Sequence, residues 1–254
     1  MRLSTNAVML SLVVALGIGG ACPARSAEIT VFLNQATASG VRELAAGFEK
    51  ATGHKVDVSF QGGPALNQKI VSGAPGDLVS LSLDQFDDYV KQGKVVAGSV
   101  VEYARVGNGV AVKAGAAKPD ISTPEAFRRA MLDAKSIAYV EAGATAPYIK
   151  SLFDRLGIAD AIKPKLKPQP TSNPAAQAVA NGEAELGITQ ISEILPYAGA
   201  ELVGPLPAEI QLYTVYPAAL AAGTKEAGPA TALIKFLTAP AAIAVLKAKG
   251  LSPG

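Results

Sequence analysis

The chain repeats one pattern of apolar and polar positions, a short strand-like run followed by a longer run with helical spacing. Val56, Val58 and Phe60 alternate with polar residues, as in a strand with one buried face. Residues 41–48 place their apolar side chains at i, i+3, i+4 and i+7, which gives a helix one apolar face. Strands that alternate with helices in this way predict an α/β fold with mainly parallel sheets covered by helices on both faces.

The same pattern predicts elements along the whole chain, bounded by glycine and proline signals. The predicted strands are 29–32, 56–60, 77–81, 100–106, 110–112, 137–140, 186–189 and 213–220. The predicted helices begin near 41, 64, 86, 123, 147, 173 and 233, and the last is broken at Pro240.

In two places a strand is not followed by the expected helix. Gly107-Asn108-Gly109 alone joins two predicted strands, and we interpret it as a turn at a first crossing between two lobes. The strand at 213–220 returns the chain before the C-terminal helices, which makes a second crossing and predicts a hinge. The predicted lobe I comprises residues 27–106 and 213–254, and the predicted lobe II comprises residues 107–212.

The first residues have the order of a secretory signal. Arg2 precedes an apolar run at 7–18, and small residues follow up to Ser26. The run is shorter than the roughly 20 residues that a membrane-spanning helix needs. We therefore expect a cleaved signal peptide at 1–26 and a periplasmic mature chain, with lipid attachment at Cys22 as an open alternative.

Composition excludes several classes of function. With 17% charged residues, a net charge of +2 and no basic run, the chain lacks the charge distribution of a nucleic-acid-binding protein. Cys22 and His54 are the only cysteine and histidine, so we expect no metal site and no cofactor. Repeats and low-complexity tracts are absent from the sequence, which disfavours a structural or adhesive domain.

Four loops follow predicted strands and precede predicted helices, where ligands bind in parallel α/β sheets. They are 34–39, 61–63, 143–146 and 171–173. The first turn of a helix presents unpaired N–H groups and about half a positive charge, so such loops bind oxyanions without Lys or Arg. The hydroxyl side chains in them could equally be ordinary helix caps, and the prediction depends on the loops converging.

Four segments together resemble the molybdate-binding proteins of bacterial ABC uptake systems, over essentially the whole mature length. They are Ile29-Thr30-Val31-Phe32, Ser72-Gly73-Ala74-Pro75-Gly76-Asp77-Leu78, Gly107-Asn108 and Leu186-Gly187-Ile188. The resemblance implies a two-lobed periplasmic binding protein fold of type II. It also implies a monomer that closes on a small anionic ligand and delivers it to an ABC permease in the inner membrane.

The resemblance further implies a site in which two serines, backbone amides and a tyrosine hold a tetrahedral oxyanion. In this sequence the serine positions fall on Ala36 and Gly63, and the tyrosine position falls on Gln190. The amide positions lie near Thr145 and Ser172. Each lost donor to a desolvated oxyanion costs about 1–3 kcal/mol, so weak molybdate binding is expected.

The replacements favour a larger organic carboxylate, because carboxamides both donate and accept hydrogen bonds. Tyr148, Lys150 or Arg105 is expected to supply a further donor. The complete set of predicted ligand-binding residues is Asn34, Gln35, Ala36, Thr37, Ser39, Gln61, Gly62, Gly63, Thr145, Ala146, Tyr148, Ser172 and Gln190.

An enzymatic alternative comes from the same resemblance, since periplasmic aconitate isomerases are similar in fold. Moving a double bond in a tricarboxylate needs a general base beside an acidic C–H. Glu141, Tyr148 and Glu193 are the candidates for that base. Pattern and spacing do not choose between transport and isomerisation.

Overall fold

The computed structural model describes residues 26–170 and 172–254, and of Ser172 and Asn173 only the backbone. The predicted signal segment, apart from Ser26, and Cys22 within it therefore lie outside the described residues. The described strands are β1 (Glu28–Asn34), β2 (Lys55–Gln61), β3 (Leu78–Ser80), β4 (Val101–Lys113), β5 (Ile137–Val140), β6 (Leu166–Gln169), β7 (Leu186–Gln190), β8 (Ala200–Pro205), β9 (Tyr213–Leu220) and β10 (Ser252–Pro253). The described α-helices are α1 (Ala38–Thr52), α2 (Gly63–Val71), α3 (Phe86–Lys91), α4 (Pro124–Asp133), α5 (Ala146–Arg155), α6 (Ala159–Ile162), α7 (Ser172–Ala180), α8 (Ile191–Ile194), α9 (Ala227–Leu237) and α10 (Pro240–Ala248).

The strands form one curled sheet with the order β2-β1-β3-β9-β4-β7-β5-β6. Parallel pairs occupy its two ends, and the antiparallel strands β4 and β9 form its middle. Helices cover each end with a separate apolar core, one around Leu33 and Phe48 and the other around Phe127 and Leu152. This arrangement confirms the predicted two-lobed α/β fold, and we propose the lobe boundaries given above for it.

The predicted turn at Gly107-Asn108-Gly109 is wrong, because β4 runs through these residues without interruption. The glycines serve close packing instead. A Cβ on Gly109 would lie 2.9 Å from the carbonyl oxygen of Gly204 in β8, and one on Gly107 would lie 3.1 Å from the ring of Tyr213 in β9. Glycine is therefore needed at position 109, where β8 approaches β4, and a Cβ at position 107 would press on the side chain of Tyr213. The two predicted strands are one strand.

The side chain of Gln211 joins the two crossings between the lobes. Its Oε1 accepts a hydrogen bond from the backbone N–H of Asn108 at 2.8 Å, and its Nε2 donates to the carbonyl oxygen of Asn108 at 2.9 Å. The Nδ2 of Asn108 donates in turn to the carbonyl oxygen of Leu212 at 3.1 Å. A side-chain amide thus takes the place of a backbone partner where the chain passes from one lobe to the other.

Asp77, within the segment that carries the family resemblance, joins three parts of lobe I. Its carboxylate accepts hydrogen bonds from the N–H of Thr30 at 2.9 Å, from the hydroxyl of Thr224 at 2.8 Å and from two N–H groups before α9. Burial alone would raise the pKa of Asp77, but the hydrogen bonds from Thr30, Thr224 and the α9 approach hold this pKa below its ordinary value. Asp77 therefore has a structural role, at the edge of the sheet where β1 and β3 begin.

Within the described part of the chain, no single helix is long and apolar enough to cross a bilayer. Helices α9 and α10 reach that length and composition only together, and they meet at an angle of 66°.

Candidate functional site

Four parallel strands end at one cavity between the two ends of the sheet. Asn34, Gln61, Val140 and Gln190 are the last residues of β1, β2, β5 and β7, and all four line it. Its lining consists of Asn34, Gln35, Phe60, Gln61, Gly62, Gly63, Pro64, Val140, Ala142, Gly143, Ala144, Thr145, Gln190, Glu193 and Tyr216. This is the position at which parallel α/β sheets bind ligands.

The cavity has room for a small molecule. It holds about 150 Å³ of water-accessible space, and about 650 Å³ of empty volume when its open mouth is included. One water molecule needs on the order of 10–15 Å³ of such accessible space. The interior therefore accommodates a ligand of several non-hydrogen atoms.

The loop after β1 contributes the carboxamides of Asn34 and Gln35 to the cavity wall and folds the next two residues inward. The Oδ1 of Asn34 accepts a hydrogen bond from the N–H of Ala36 at 3.0 Å, and the hydroxyl of Thr37 donates to the carbonyl oxygen of Asn34 at 2.9 Å. Ala36 and Thr37 are consequently buried behind the cavity and do not line it. Because Oδ1 of Asn34 is occupied, its Nδ2 is the group that this side chain can offer to a ligand.

Two helices begin at the cavity, one on each side. Gly62 precedes α2 in an extended conformation and has no side chain, so it cannot cap the helix. Thr145 precedes α5 and makes no capping hydrogen bond to any residue that the structure describes. Pro64 and Pro147, the second residues of α2 and α5, have no N–H, and the N–H of Ala146 donates to the carbonyl oxygen of Gly143 at 3.3 Å. The first turn of α2 therefore leaves the N–H of Gly63 as its donor at the cavity wall, and helix beginnings favour negative charge.

Gln190 lies in the cavity wall with its two amide atoms in different situations. Its Oε1 accepts a hydrogen bond from the hydroxyl of Tyr216 at 3.0 Å, whereas its Nε2 is buried without a hydrogen-bond partner among the described residues. Burial, followed by the negative charge of Glu193, raises the pKa of Tyr216, so this hydroxyl remains protonated. An unsatisfied buried donor in a cavity wall indicates a ligand atom that accepts a hydrogen bond.

The charged groups of the site are sparse. Among the described residues no Lys or Arg lines the cavity, and Glu193, which is 5% exposed, is its charged side chain. A cation stands nearby, because the guanidinium of Arg42 lies 4.5 Å from the ring centroid of Phe60. Arg42 also lines an adjoining cavity together with Gln35, Ser39 and Glu193. The described wall of the main cavity is therefore made of uncharged groups and one carboxylate, and the guanidinium of Arg42 lies outside it.

A second cavity continues the first along the cleft. The two share Asn34, Gly63, Pro64, Gly143 and Ala144. The continuation adds polar side chains and about 230 Å³ of accessible space. Its additional lining residues are Asn67, Ser82, Asp84, Gln85 and Pro147.

Seven predicted site residues line the main cavity, and others do not reach it. The seven are Asn34, Gln35, Gln61, Gly62, Gly63, Thr145 and Gln190. Ala146 is buried in α5, and Ser39 lies in the adjoining cavity. The hydroxyl of Tyr148 donates to the carbonyl oxygen of Ile210 at 2.7 Å, and the guanidinium of Arg105 lies 6.0 Å from the ring centroid of Tyr213. Neither residue lines the main cavity.

Three of the four predicted loops therefore meet at one cavity. The fourth contains Thr171, which lies outside the described residues, and Ser172, whose side chain is not described. Among the candidates for a further donor, Lys150 is exposed on α5 and does not line the cavity.

Pattern and spacing did not identify Tyr216, Phe60 or Arg42 as part of the site. Tyr216 is in a predicted strand and Phe60 at an apolar strand position, so both read as core residues. Arg42 is on the exposed face of α1, where charged residues are ordinary. The cation–π contact between Arg42 and Phe60 would have marked both residues, but predicting this contact requires knowing how α1 packs on β2.

Comparison with known proteins adds to this geometry. Residues 29–252 match the family of bacterial extracellular solute-binding proteins. The chain is 30% identical to an aconitate isomerase from Pseudomonas sp., covering 99% of this chain and 97% of that protein. It is 33% identical to the molybdate-binding protein ModA from Azotobacter vinelandii, covering 94% and 96%. The solved periplasmic molybdate-binding protein from Azotobacter vinelandii matches with a TM-score of 0.74 at 23% identity, covering 88% of this chain and 98% of that one.

Proposed function

Because the chain belongs to the family of bacterial extracellular solute-binding proteins, we propose that it is a periplasmic receptor for a small organic carboxylate. In this proposal the signal segment at 1–26 is removed, the two lobes close on the ligand, and the closed form delivers it to an ABC permease. Affinity then depends on how much the ligand favours the closed state.

The cavity wall carries this proposal. It combines the Nε2 of Gln190 with the beginning of α2 at Gly63 and with the carboxamides of Asn34 and Gln61, and these are donors without a full positive charge. Such groups suit a carboxylate, because each oxygen accepts from more than one N–H.

The same wall disfavours a tetrahedral metal oxyanion. The two positions at which the related molybdate-binding proteins are expected to have serines are Ala36 and Gly63, and Ala36 is buried behind the cavity. The continuation past Gly63 toward Asn67 and Ser82 offers polar groups beyond the reach of a four-oxygen ion. A ligand with a carboxylate at one end and a further polar group fits both cavities.

Calorimetric titration of residues 27–254 tests the proposal. The ligands are molybdate, tungstate and sulfate on one side, and malate, citrate, cis-aconitate and trans-aconitate on the other. We expect at least one carboxylate to bind in the micromolar range or tighter, and submicromolar binding of molybdate would contradict the proposal. Gly63→Ser is the matched variant, because a Cβ at Gly63 lies 3.7 Å from the nearest described atom, Nδ2 of Asn34, so the hydroxyl can be accommodated. Gly63→Ser is expected to raise molybdate affinity roughly 5-fold or more, because one regained hydrogen bond is worth about 1 kcal/mol.

A second candidate function is the isomerisation of a tricarboxylate, and the position of Glu193 supports it. Of the three candidate bases, Glu193 lines the cavity, Glu141 is exposed outside it, and Tyr148 is bonded to Ile210. In such a reaction Glu193 would remove a proton from the CH₂ next to a carboxylate. It would then return the proton to the far carbon of the allylic anion, so that the double bond moves without net loss of atoms.

Incubation with trans-aconitate, followed by chromatography of the cis isomer, distinguishes the two functions. If the protein is an isomerase, Glu193→Gln is expected to lower the turnover rate roughly 100-fold or more, because the general base is lost. Binding of trans-aconitate is expected to remain. Glu141→Gln, at the exposed candidate base outside both cavities, is the matched control and is expected to retain turnover. Absence of turnover in the unaltered protein, together with carboxylate binding, would leave transport as the function.

A further inference from the structure

Tyr216 and Gln190 form a buried pair behind the proposed ligand. Tyr216 is 1% exposed in β9, and Gln190 is 3% exposed at the end of β7. The strand β4 lies between β9 and β7, so the contact crosses a neighbouring strand. The hydroxyl donates to Oε1 of Gln190 at 3.0 Å, while Nε2 is the amide atom left unbonded among the described groups.

A carboxamide by itself does not select between donor and acceptor. Rotation of its terminal torsion by half a turn exchanges Oε1 and Nε2 at little cost. A tyrosine hydroxyl has a single proton to donate, so a bond from that proton to the amide requires Oε1 to face Tyr216. The hydroxyl of Tyr216 donates to Oε1 in the structure, and this bond leaves Nε2 as the amide atom available to a ligand.

We infer that Tyr216 is a positioning residue that holds Gln190 with Nε2 toward the ligand, so that the site selects ligand groups that accept hydrogen bonds. The ligand class in this inference rests on the proposed function, whereas the orientation of Gln190 does not. Loss of the hydroxyl would free the amide to turn, and Oε1 could then face an anion. The rotamer with Oε1 toward the ligand cannot donate a hydrogen bond to an anion, so its population lowers the affinity for the ligand.

A double-mutant cycle tests the inference with trans-aconitate as the probe. The four proteins are the unaltered chain, Tyr216→Phe, Gln190→Met and the double variant, and phenylalanine retains the ring that packs in the lobe I core. We expect Tyr216→Phe to weaken binding about 10-fold in the unaltered background and to have no further effect beside Gln190→Met. An equal loss in both backgrounds would mean that Tyr216 acts through packing alone, and would overturn the inference.

A ligand-free measurement keeps the orientation testable if trans-aconitate does not bind. In protein labelled with ¹⁵N-glutamine, the side-chain amide signals of Gln190 are those that disappear in Gln190→Met. Tyr216→Phe is expected to shift or broaden these signals while leaving the other glutamine side chains unchanged. Unchanged Gln190 signals would refute the positioning role, whereas failure of every tested carboxylate to bind would refute the proposed function alone.

Discussion

The carboxylate of Asp77 accepts hydrogen bonds from β1 and from the segment that leads into α9, so its ionisation is linked to folding. Its pKa is below the ordinary value in the folded protein, while an unfolded aspartate titrates near pH 3.9. The lowered pKa favours the charged, folded form. The corresponding stability is complete above about pH 4 to 5 and is lost as pH falls through the folded pKa.

Asp77→Asn is expected to destabilise lobe I by about 1–3 kcal/mol at neutral pH, because an amide nitrogen would then face an N–H donor. The variant should also lose part of the decline in stability that sets in as pH falls below about 4. Urea unfolding at a series of pH values measures both effects. Asp87→Asn, on the exposed face of α3, is the control and should change stability by less than about 0.5 kcal/mol. Equal behaviour of the two variants would contradict the role given to Asp77.

At the scale of elements, the close approach of β8 to β4 depends on Gly109. A methyl group there would lie 2.9 Å from the carbonyl oxygen of Gly204 and as close to Leu202 and Ile191. Gly109→Ala is expected to reduce the free energy of unfolding by about 1–3 kcal/mol, since backbone must shift to accept the group. Gly98→Ala, where no described atom lies within 4 Å of the new Cβ, is the control. Chemical denaturation of the two variants measures the difference in their free energies of unfolding. Similar stabilities would mean that β8 can move away from β4 at little cost and would contradict the prediction.

The elements that the sequence predicted best are those with a regular spacing of apolar residues and a clear capping, glycine or proline residue at one end. Thr123 is an example, because its Oγ1 accepts from the N–H of Ala126 at 3.1 Å, as its capping position before Pro124 indicated. The strands β6 and β8 were missed because neither is fully buried and β6 contains Pro168, so neither shows alternation. Their pairing with neighbouring strands, not their own pattern, holds them in place.

The part of the candidate site that is formed by loops after strands could be predicted from the sequence. Residues at strand ends could be placed by topology, and three of the four loops do meet. The pairing of Gln190 with Tyr216 could not be foreseen, because the two are 26 residues apart on strands that do not touch in the sheet. Side-chain contacts across a strand depend on register and curl, which local patterns do not encode.

At the scale of the whole molecule, two connected lobes around a cavity predict closure on a ligand. A compact chain of the length of residues 27–254 has a radius of gyration of about 17 Å. In small-angle scattering, the unliganded protein is expected to exceed this value and to decrease toward it when a bound carboxylate is present. Gln190→Met, which removes the donor to the ligand, should require higher ligand concentrations for the same decrease. A radius that stays constant at saturating ligand would contradict the hinge.

Asp77 and the cavity lie at opposite edges of one sheet. Thr30, which donates to Asp77, and Asn34, which lines the cavity, are four residues apart on β1, a separation of about 13 Å. Asp77, in one of the four segments that carry the family resemblance, is thus remote from the groups that line the cavity. Ligand specificity could therefore change through substitutions in a few loops while the fold is retained. Common ancestry here predicts the fold far better than it predicts the ligand.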